Sequence, residues 1–430
     1  MPPYSSPAKK TNIYDFLALK SSTVGVFAMV ILVGMGERMA ERFLPIYILA
    51  LGGGTLAVGL LQAMDNFLSA MYSYPGGYLA DRIGTKKSLF IFNLLAMAGF
   101  AMVVLIPAWQ AVLCGAIFFI SWSAISLPAT MSLIYRVLPH NKRTMGASLH
   151  ALTGRIPMAL GPLIGGIFIH LWGEQTGVRV AFGGAFLLAA LAIWFQQVMI
   201  EADPKFGGSN EDGDESDTCE LVPEKNPVKL FQMMNPAMKR LLISDILIRF
   251  CEQIPCAFVV IWCMKAISQP VSAFQFGILT TVEMVTAILI YIPVAWLADS
   301  TTKKPFVLMT FVFFTLFPLG LLYSQSFEWL VLAFILRGLK EFGEPTRKAL
   351  IMDLAPDHCR AAMFGLYYLI RDLFVSAAAL GGAFLWQISP ETNLWTAFAF
   401  GVVGSLGFAL FGSDIAPSTL PGRPESDSDR

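Results

Sequence analysis

Long apolar segments recur along the whole chain, and each is long enough to cross a membrane as a helix. A hydrocarbon core of about 30 Å requires about 20 residues of α-helix. About twelve such segments are predicted, at residues 23–50, 56–80, 88–106, 110–135, 145–171, 179–200, 240–264, 274–297, 305–324, 329–352, 361–387 and 392–413. Transmembrane β-strands would be about 10 residues long with alternating polarity, whereas these segments are uniformly apolar. The pattern therefore predicts an all-α membrane protein with twelve transmembrane helices.

The longest polar interruption lies between the sixth and the seventh segments. Residues 201–239 are acidic, rich in Gly and Ser, and nearly free of apolar residues until their end. This composition is typical of a disordered linker. The predicted organisation is an N-terminal segment (1–22), a six-helix bundle (23–200), the acidic linker (201–239), a second six-helix bundle (240–413) and a C-terminal tail (414–430).

Composition and charge agree with a membrane protein and give its orientation. The chain is 56% hydrophobic and 14% charged, which is too apolar for a soluble domain of 430 residues. Lys and Arg are concentrated in alternate connections, so the positive-inside rule places both termini and the linker in the cytoplasm. We expect a monomer in the plasma (inner) membrane. The net charge of zero gives no reason to expect a nucleic-acid partner.

The two sets of six segments are related to each other in sequence. The second segment aligns with the eighth, the fourth with the tenth, and the fifth with the eleventh, while the first and the seventh share the pattern Arg-x-x-Glu. Matched residues include Gly59 with Gly277, Asp65 with Glu283, Asp81 with Asp299, Lys86 with Lys304, Arg155 with Arg371, Arg38 with Arg249, and Glu41 with Glu252. The alignment indicates a tandem duplication of a six-helix unit.

The connection "GGYLADRIGTKK" (76–87) resembles the signature loop of the major facilitator superfamily. The resemblance extends in topology and repeat pattern over about residues 20 to 415, and it implies two pseudo-symmetric bundles that rock about a central site. Its charged residues would form a cytoplasmic network that breaks when the halves separate; the alternative is an ordinary basic inner loop. The candidate loop and gate residues are Gly77, Asp81, Arg82, Gly84 and Lys86, with Asp299 and Lys304 in the second half.

A second motif, "GRIPMALGPLIGG" (154–166), resembles the fifth-helix motif of exporting proton antiporters in that superfamily. Gly161, Gly165 and Gly166 would allow neighbouring helices to approach, and Pro162 can bend its helix. The drug-antiporter branch usually carries an Arg on the fourth helix, which this chain lacks. The equivalent charges lie in the tenth segment instead, so simple drug-antiporter chemistry does not follow.

Charged residues inside the first and seventh segments are the main candidates for transport chemistry. A charge at the centre of the bilayer costs about 2.5 to 3.5 kcal/mol, so pairing is expected. Arg38 and Glu41 share a helix face, and Arg249 and Glu252 repeat the spacing in the second half. The resemblance implies that both helices line the central cavity. Glu37 and Arg42, which have no counterparts in the repeat, are expected to set the coupling or substrate particular to this chain.

Four further charges are predicted to join the two halves. Counting from helix ends places Asp65, Glu283, Arg155 and Arg371 near the middle of the membrane. The helix neighbours implied by the resemblance then predict two latches, Asp65 with Arg371 and Glu283 with Arg155. The alternative is that Asp65 pairs with Arg38 inside its own half.

The tenth segment carries a stripe of alternating charge. Arg337, Glu341, Glu344 and Lys348 follow one another at helical spacing and would line the cavity or form a cytoplasmic gate. On the same helical wheel Lys340 and Arg347 fall on a different face, where they would act as charges of the inner loop.

Buried carboxylates beside Arg side chains favour proton coupling. The neighbouring charge holds such a carboxylate ionised while desolvation favours the neutral form, so a modest rearrangement can load or release a proton. The leading candidates for the proton carrier are Glu41, Glu252 and Glu37, followed by Asp65 and Glu283. For each of them the alternative is a permanently ionised structural pair.

The chain has no phosphate-binding loop, metal-ligand cluster or catalytic triad, so we expect no enzymatic activity, no metal, and no cofactor other than the proton as coupling ion. The predicted function is proton-coupled export of a small organic or amphipathic compound by alternating access. One alternative is uptake or exchange of an organic anion through Arg38 and Arg249. Another is a membrane receptor or scaffold that transports nothing.

Overall fold

The computed structural model describes residues 21–119, 122, 126, 130, 143–199, 227–298, 302–355 and 360–412, and the regular structure in these ranges is helical. The helices are α1 (Ser21–Glu41), α2 (Leu44–Ala50), α3 (Thr55–Ile83), α4 (Thr85–Leu105), α5 (Trp109–Phe119), α6 (Arg143–Met199), α7 (Pro227–Met233), α8 (Pro236–Cys256), α9 (Val259–Ile261), a π-helix (Trp262–Ala266), α10 (Ala273–Ala298), α11 (Lys304–Tyr323), α12 (Phe327–Leu339), α13 (Glu344–Leu354), α14 (Arg360–Ile388) and α15 (Pro390–Phe411). The predicted all-α membrane fold is confirmed.

Each of the twelve predicted segments coincides, wholly or in part, with a described helix. Six described helical spans are individually long and apolar enough to cross a membrane. Helix α8 and residues 259–266, which are bent by 44° to each other, meet the same criterion only when they are counted together. Much of the predicted fourth segment, beyond the end of α5, lies outside the described residues.

The predicted fifth and sixth segments form one helical hairpin, α6. The chain reverses at Gly173, whose positive φ of 78° is a conformation that suits glycine. A β-carbon added at Gly177 would lie 2.5 Å from the Cα of Ile169, so the two limbs approach very closely beside the turn. We call residues 143–172 the first limb of α6 and residues 174–199 its second limb.

The predicted linker (201–239) is helical at its C-terminal end. Helix α7 begins at Pro227, and the side chain of Asn235 caps α8 by accepting a hydrogen bond of 3.0 Å from the backbone N–H of Ala237. Leu230 and Met234 are buried against the second bundle. The prediction of a disordered linker over residues 201–239 is therefore wrong for residues 227–239, because this end is apolar and packs on the second bundle. Residues 201–226 lie outside the described residues.

Three segments predicted as continuous helices are broken near the middle of the molecule. Arg42 and Phe43 separate α1 from α2, Ala257 and Phe258 separate α8 from α9, and residues 340–343 separate α12 from α13. Proline lacks a backbone N–H and its ring clashes with the carbonyl four residues earlier. Pro45 and Pro345 each follow such a break within a few residues, and Pro255 lies beside the break after α8.

The N half (α1 to α6) and the C half (α7 to α15) meet along two helix pairs. The first limb of α6 packs on α10, and α3 packs on α14. A β-carbon added at Gly166 would lie 2.4 Å from the carbonyl oxygen of Ala273, and one added at Gly59 would lie 2.4 Å from the Cβ of Ala383. Small residues therefore set how closely the halves approach.

The described contacts between halves extend from the level of the helix breaks to one face of the molecule. We call the face where α1 begins the N-terminal face and the other the opposite face. At the opposite face Lys265 Nζ lies 3.0 Å from Glu174 Oε2, and Gln387 donates a hydrogen bond of 3.1 Å to Thr55. The two halves are therefore closed against each other at the opposite face.

Candidate functional site

A cavity of about 210 Å³ lies between the two halves, at the level of the helix breaks. Its polar and charged lining residues are Glu41, Arg42, Gln62, Asp65, Asn66, Glu252, Gln253, Cys256, Arg337 and Lys340. Leu44, Leu61 and Phe276 contribute apolar walls. Asn66 donates a hydrogen bond of 3.3 Å to Gln253 and so connects the halves beside the cavity. A polar chamber between two packed units is a place where a small molecule can bind.

In the N half, Arg38 and Glu41 form the expected ion pair. Arg38 Nη1 lies 2.7 Å from Glu41 Oε2, one turn along α1. Glu41, at the end of α1, faces the cavity, whereas Arg38 is not among the residues that line it. Glu37 is buried, with 2% of its surface exposed. The first-helix charges are thus divided between the cavity wall and the interior of the N half.

Arg42 and Asp65 also face the cavity, and they differ from the other charges in having no ion-pair partner among the described residues. Arg42 occupies the break between α1 and α2. Asp65 lies on α3, where its carboxylate accepts a hydrogen bond of 3.3 Å from Gln62. Both side chains are half-buried. Among the described lining residues, the cavity therefore has one cation and one carboxylate without an ion-pair partner.

In the C half, Glu252 is held by two cations. Its carboxylate lies 2.6 Å from Arg249 Nη1 and 2.8 Å from Lys340 Nζ. The Arg249–Glu252 pair repeats the Arg38–Glu41 pair of the N half. Lys340 reaches Glu252 from the break between α12 and α13, so this carboxylate joins α8 to the tenth predicted segment.

A fully buried carboxylate, Glu283, lies behind the cavity wall. Its Oε1 is 3.3 Å from Arg337 Nε and 3.6 Å from Lys340 Nζ. The guanidinium of Arg337 also lies over the ring of Phe317, 5.0 Å from its centroid, a cation–π contact. Arg337 and Lys340 are the two described cations that line the cavity from α12 and its C-terminal end. Each is therefore paired with a carboxylate.

The ion-pair chain continues away from the cavity through α13. Glu344 lies 3.4 Å from Arg249 and 2.7 Å from Arg347. Arg347 also forms an ion pair with Asp245, which accepts a hydrogen bond of 3.1 Å from the hydroxyl of Tyr367. Asp245 and Arg347 are both 1% exposed. Alternating charges therefore run without interruption from Glu252 into the interior of the C half.

The two predicted latches are not formed. Arg371 lies 2.7 Å from Asp372 and 3.7 Å from Asp245, within its own half, and does not form an ion pair with Asp65. The alternative partner of Asp65, Arg38, is instead bound by Glu41. The prediction used depth in the membrane, which does not specify the direction in which a side chain leaves its helix.

The second latch is replaced by a different contact across the halves. Glu283 is bound by Arg337 and Lys340 of its own half, whereas Arg155 lies 3.2 Å from Glu341. Arg155 is on the first limb of α6 and Glu341 is in the break after α12. A cation of the N half therefore does contact a carboxylate of the C half, but the carboxylate is in the tenth segment and not the eighth.

The prediction that Lys340 and Arg347 are charges of the inner loop was wrong. Lys340 lines the cavity and Arg347 is buried against Asp245. The helical wheel assumed one continuous helix, whereas residues 340–343 form turns that change the direction of every side chain beyond them. The charges of the predicted stripe are therefore distributed between the cavity wall and the buried ion-pair chain.

The fifth-helix motif packs as its small residues suggest. A β-carbon added at Gly161 would lie 2.7 Å from the Cβ of Arg38, and one added at Gly165 would lie 1.8 Å from the carbonyl oxygen of Met39. Both glycines therefore contact α1. Gly166 faces α10 across the halves, and Pro162 lies within α6, its carbonyl oxygen directed at Gly277. The motif therefore positions the helix that carries Arg38 and Glu41.

The signature loop is only partly described. Gly77 and Asp81 lie in α3, and Arg82 is exposed at its end. Gly84 adopts a positive φ of 92° between α3 and α4, and Lys86 donates a hydrogen bond of 3.0 Å to the carbonyl of Gln197. Lys304 begins α11, whereas Asp299 lies outside the described residues. The predicted gating role of these residues stays a prediction.

Asp245 and the amides beside Asp65 were not identified from the sequence, although signals for them exist. Asp245 precedes Arg249 by four residues and Glu252 by seven, which places all three on one face of α8. Gln62 precedes Asp65 by three residues and Asn66 by four, which is helical spacing, in an otherwise apolar segment. Polar residues that repeat at helical spacing beside a recognised charge would have indicated both groups.

Comparison with known proteins identifies the family. The sequence model described as Major Facilitator Superfamily matches residues 26–272 and 233–428. An MFS-type transporter of Methanocaldococcus jannaschii, MJ1317, is 23% identical over 382 residues, covering 86% of this chain and 90% of that protein. A Na⁺, Li⁺, K⁺/H⁺ antiporter of Planococcus maritimus is 26% identical over 195 residues, covering 42% of this chain and 43% of that protein.

Solved structures show the same fold at low sequence identity. The nucleoside transporter NupG superimposes with a TM-score of 0.69 at 15% identity, covering 91% of this chain and 98% of that one. The peptide transporter POT, in complex with sulfate, gives a TM-score of 0.71 at 16% identity, covering 91% of this chain and 94% of that one. At these identities the likeness concerns the fold alone.

Proposed function

Because the chain belongs to the major facilitator superfamily and is therefore a membrane transporter, we propose that it exchanges protons for a small organic solute and exports that solute by alternating access. The observation that carries the proposal is Asp65, a carboxylate that faces the cavity between the halves without a cation partner among the described residues. A group in this position can bind a proton or a positively charged part of a solute, and both ligands would compete for it.

The ion pairs favour Asp65 over the other candidate proton carriers. Protonation of Glu41 would remove its attraction to Arg38, and protonation of Glu252 would remove its attraction to Arg249 and Lys340. Protonation of Asp65 breaks no ion pair, because its described polar contact is the hydrogen bond from Gln62. Asp65 therefore exchanges a proton at the lowest cost in electrostatic energy.

The size of the cavity supports a small solute. Sites for drug-sized molecules usually enclose about 300 to 1,000 Å³, whereas this cavity encloses about 210 Å³. The organic-anion alternative has less support, because Arg38 and Arg249 are bound by carboxylates and neither lines the cavity. Export, rather than uptake, rests on the fifth-helix motif.

Proton exchange can be tested in everted membrane vesicles that are acidified inside and contain acridine orange. Solutes of different charge are added singly, so no labelled substrate is required, and loss of internal acid restores the fluorescence. We expect the wild-type chain to respond to at least one small organic solute, and Asp65→Asn to lose that response. Glu391→Gln, an exposed carboxylate at the opposite face, should respond like the wild type.

Two results would contradict the proposal. One is a wild-type response no larger than that of vesicles without the chain, for every solute added. The other is an undiminished response in Asp65→Asn. The amount of correctly folded protein in each vesicle preparation is compared by size-exclusion chromatography of a fluorescent fusion.

A second candidate function is antiport of an alkali cation against protons, as the name of the Planococcus maritimus relative describes for that protein. A carboxylate with nearby amide oxygens, here Asp65 with Gln62 and Asn66, is a suitable donor set for such a cation. The guanidinium of Arg42, unpaired among the described residues, lies in the same cavity and argues against it. A fluorescence response to NaCl, LiCl or KCl, without one to organic solutes, would favour this candidate.

A further inference from the structure

The charged side chains that line the cavity differ in whether they have an ion-pair partner. In the part of the chain that the structure describes, six charged side chains line it: Glu41, Arg42, Asp65, Glu252, Arg337 and Lys340. Four of the six are held in ion pairs with other side chains of the protein. The remaining two, Arg42 and Asp65, have opposite charge and face the same space, yet they do not form an ion pair with each other.

The local backbone accounts for this separation. Asp65 is fixed on α3, in the middle of a helix of 29 residues. Arg42 stands outside regular helix, in the break before Pro45 and α2, so its side chain leaves the backbone in a direction set by the break. Phe43, the next residue, is fully buried and anchors that break. The two charges are therefore positioned by separate, well-packed elements.

An unpaired cation and an unpaired carboxylate in one partly dehydrated cavity form a complementary receptor for a molecule that carries both charges. An anion would neutralise Arg42 but leave Asp65 unpaired, and a cation would do the reverse. Leaving one buried charge without a partner reduces the gain from binding. A zwitterion satisfies both groups at once, and the guanidinium of Arg42 can bind a carboxylate through two hydrogen bonds.

The volume limits the size of this zwitterion. Sites for drug-sized molecules usually enclose about 300 to 1,000 Å³, so a cavity of about 210 Å³ favours a solute smaller than those molecules. The side chains of Gln62 and Gln253 offer additional hydrogen bonds, and Leu61 and Phe276 offer apolar contact to a short carbon chain. The lining therefore matches a short amino acid better than a nucleoside or a drug-sized amphiphile.

We propose that the transported solute is a small zwitterion whose carboxylate is bound by Arg42 and whose ammonium group is bound by Asp65. The proposal rests on the proposed function and refines it, since the ammonium group would then be the part of the solute that competes with the proton for Asp65. Arg42 would hold the carboxylate in either case and would take no part in the proton exchange.

Binding to the full chain in lipid nanodiscs tests the proposal. The probes are glycine, β-alanine and 4-aminobutyrate, with propionate as the matched anion and propylamine as the matched cation, each measured by calorimetry near neutral pH. We expect at least one of the three zwitterions to bind at least 10-fold more tightly than propionate and propylamine. Arg42→Gln and Asp65→Asn should each weaken that binding by 10-fold or more, with Arg42→Lys intermediate.

The controls separate loss of the site from loss of the fold. Arg240→Gln removes an exposed guanidinium at the N-terminal face, and Glu391→Gln removes an exposed carboxylate; both should bind like the wild type. Arg42→Gln should still bind propylamine as weakly as the wild type does. The inference is overturned if none of the three zwitterions binds, if propionate or propylamine binds as tightly, or if Arg42→Gln retains wild-type affinity for the zwitterion.

The outcome for the proposed function is measured separately, as the acridine orange response to the same five compounds. Neutral propylamine crosses membranes unaided and binds protons inside, so its response counts only where it exceeds that of vesicles without the chain. Such an excess response to propylamine alone would retain proton exchange and reject the zwitterion. Zwitterion binding that depends on Arg42, without any fluorescence response, would retain the zwitterion site and reject proton exchange.

Discussion

Arg347 is a side chain that would be costly to bury alone, and its surroundings show how the C half accommodates such charges. Its guanidinium contacts Asp245 and Glu344 and is 1% exposed. Asp245 in turn accepts a hydrogen bond from Tyr367. Each charge in this cluster has an opposite charge on at least one side, which offsets the loss of hydration.

This pairing predicts a non-additive effect of mutation on stability. Arg347→Met or Asp245→Leu alone leaves a buried charge without its partner, so each should lower the free energy of unfolding by about 3 to 5 kcal/mol. The double variant removes both charges and should lose much less than the sum of the two single losses. Thermal unfolding of the purified protein, followed by intrinsic fluorescence, measures the three variants.

A half-exposed pair supplies the comparison. Lys303 and Asp353 form an ion pair at the N-terminal face with side chains 26% and 24% exposed. Lys303→Met should lower the free energy of unfolding by no more than about 1 kcal/mol, because water solvates the remaining carboxylate of Asp353. Additive losses at Asp245 and Arg347, or equal losses at the two pairs, would show that burial does not determine the stability of this cluster.

At the scale of helices, the breaks explain which predictions from sequence succeeded. The Arg38–Glu41 and Arg249–Glu252 pairs were predictable because each lies within one continuous helix, where residues three apart share a face. Lys340 and Arg347 were not, because they lie at and beyond a break that rotates the following side chains. The apolar segments themselves were predictable, since membrane thickness alone requires their length.

The sequence predicted the helices better than it predicted the contacts between them. The sequence alignment paired Arg155 with Arg371 as repeat mates, yet one contacts Glu341 across the halves and the other stays within the C half. A duplicated sequence constrains the two backbones to be similar. It does not constrain the side chains that surround them, and these differ between the halves.

The glycines show the same divergence in a form that can be tested. Gly165 and Gly381 are repeat mates in the aligned fifth and eleventh helices. A β-carbon at Gly165 would lie 1.8 Å from the carbonyl oxygen of Met39, whereas one at Gly381 would meet nothing within 4 Å. Gly165→Ala should therefore force α1 away from α6 and lower the unfolding temperature by several degrees.

Gly381→Ala is the matched control and should leave the unfolding temperature unchanged within about 1 °C, or raise it slightly, since alanine favours a helix by about 1 kcal/mol over glycine. Size-exclusion chromatography after heating compares the two variants directly. If the unfolding temperature fell by a similar amount in both variants, glycine at this aligned position would be needed for the conformation of its own helix and not for contact with a neighbouring helix.

At the scale of the whole molecule, closure at the opposite face depends on few polar contacts among the described residues. Lys265 and Glu174 join the halves there, with side chains 41% and 34% exposed. Close contact between small residues, such as Gly166 and Ala273, accompanies this pair. Alternating access requires that these contacts separate, and weak exposed pairs allow separation at small cost.

Reversal of this ion pair should shift the balance between conformations. In Lys265→Glu the carboxylates of residues 174 and 265 repel each other, which favours separation of the halves. A membrane-impermeant maleimide added from the opposite face should therefore modify Cys256 in the cavity about two- to five-fold faster. This ratio corresponds to a change of up to about 1 kcal/mol in the free energy of opening. Labelled protein is quantified by mass spectrometry. The double variant Glu174→Lys with Lys265→Glu should return the rate to the wild-type value.

The charge balance of the cavity lining has a consequence for the energy source of the cycle. Among the described residues, three acidic and three basic side chains line the cavity, so the charges of the described lining sum to zero when all are ionised. When the cavity is empty or holds a zwitterion, its lining would carry no net charge across the electric field of the membrane. Protonation of Asp65 would add one positive charge. Voltage, worth about 2.3 kcal/mol per charge per 100 mV, would then act only on the proton-loaded step. Such a cycle is electrogenic, and the membrane potential would drive it even where the pH on the two sides is equal.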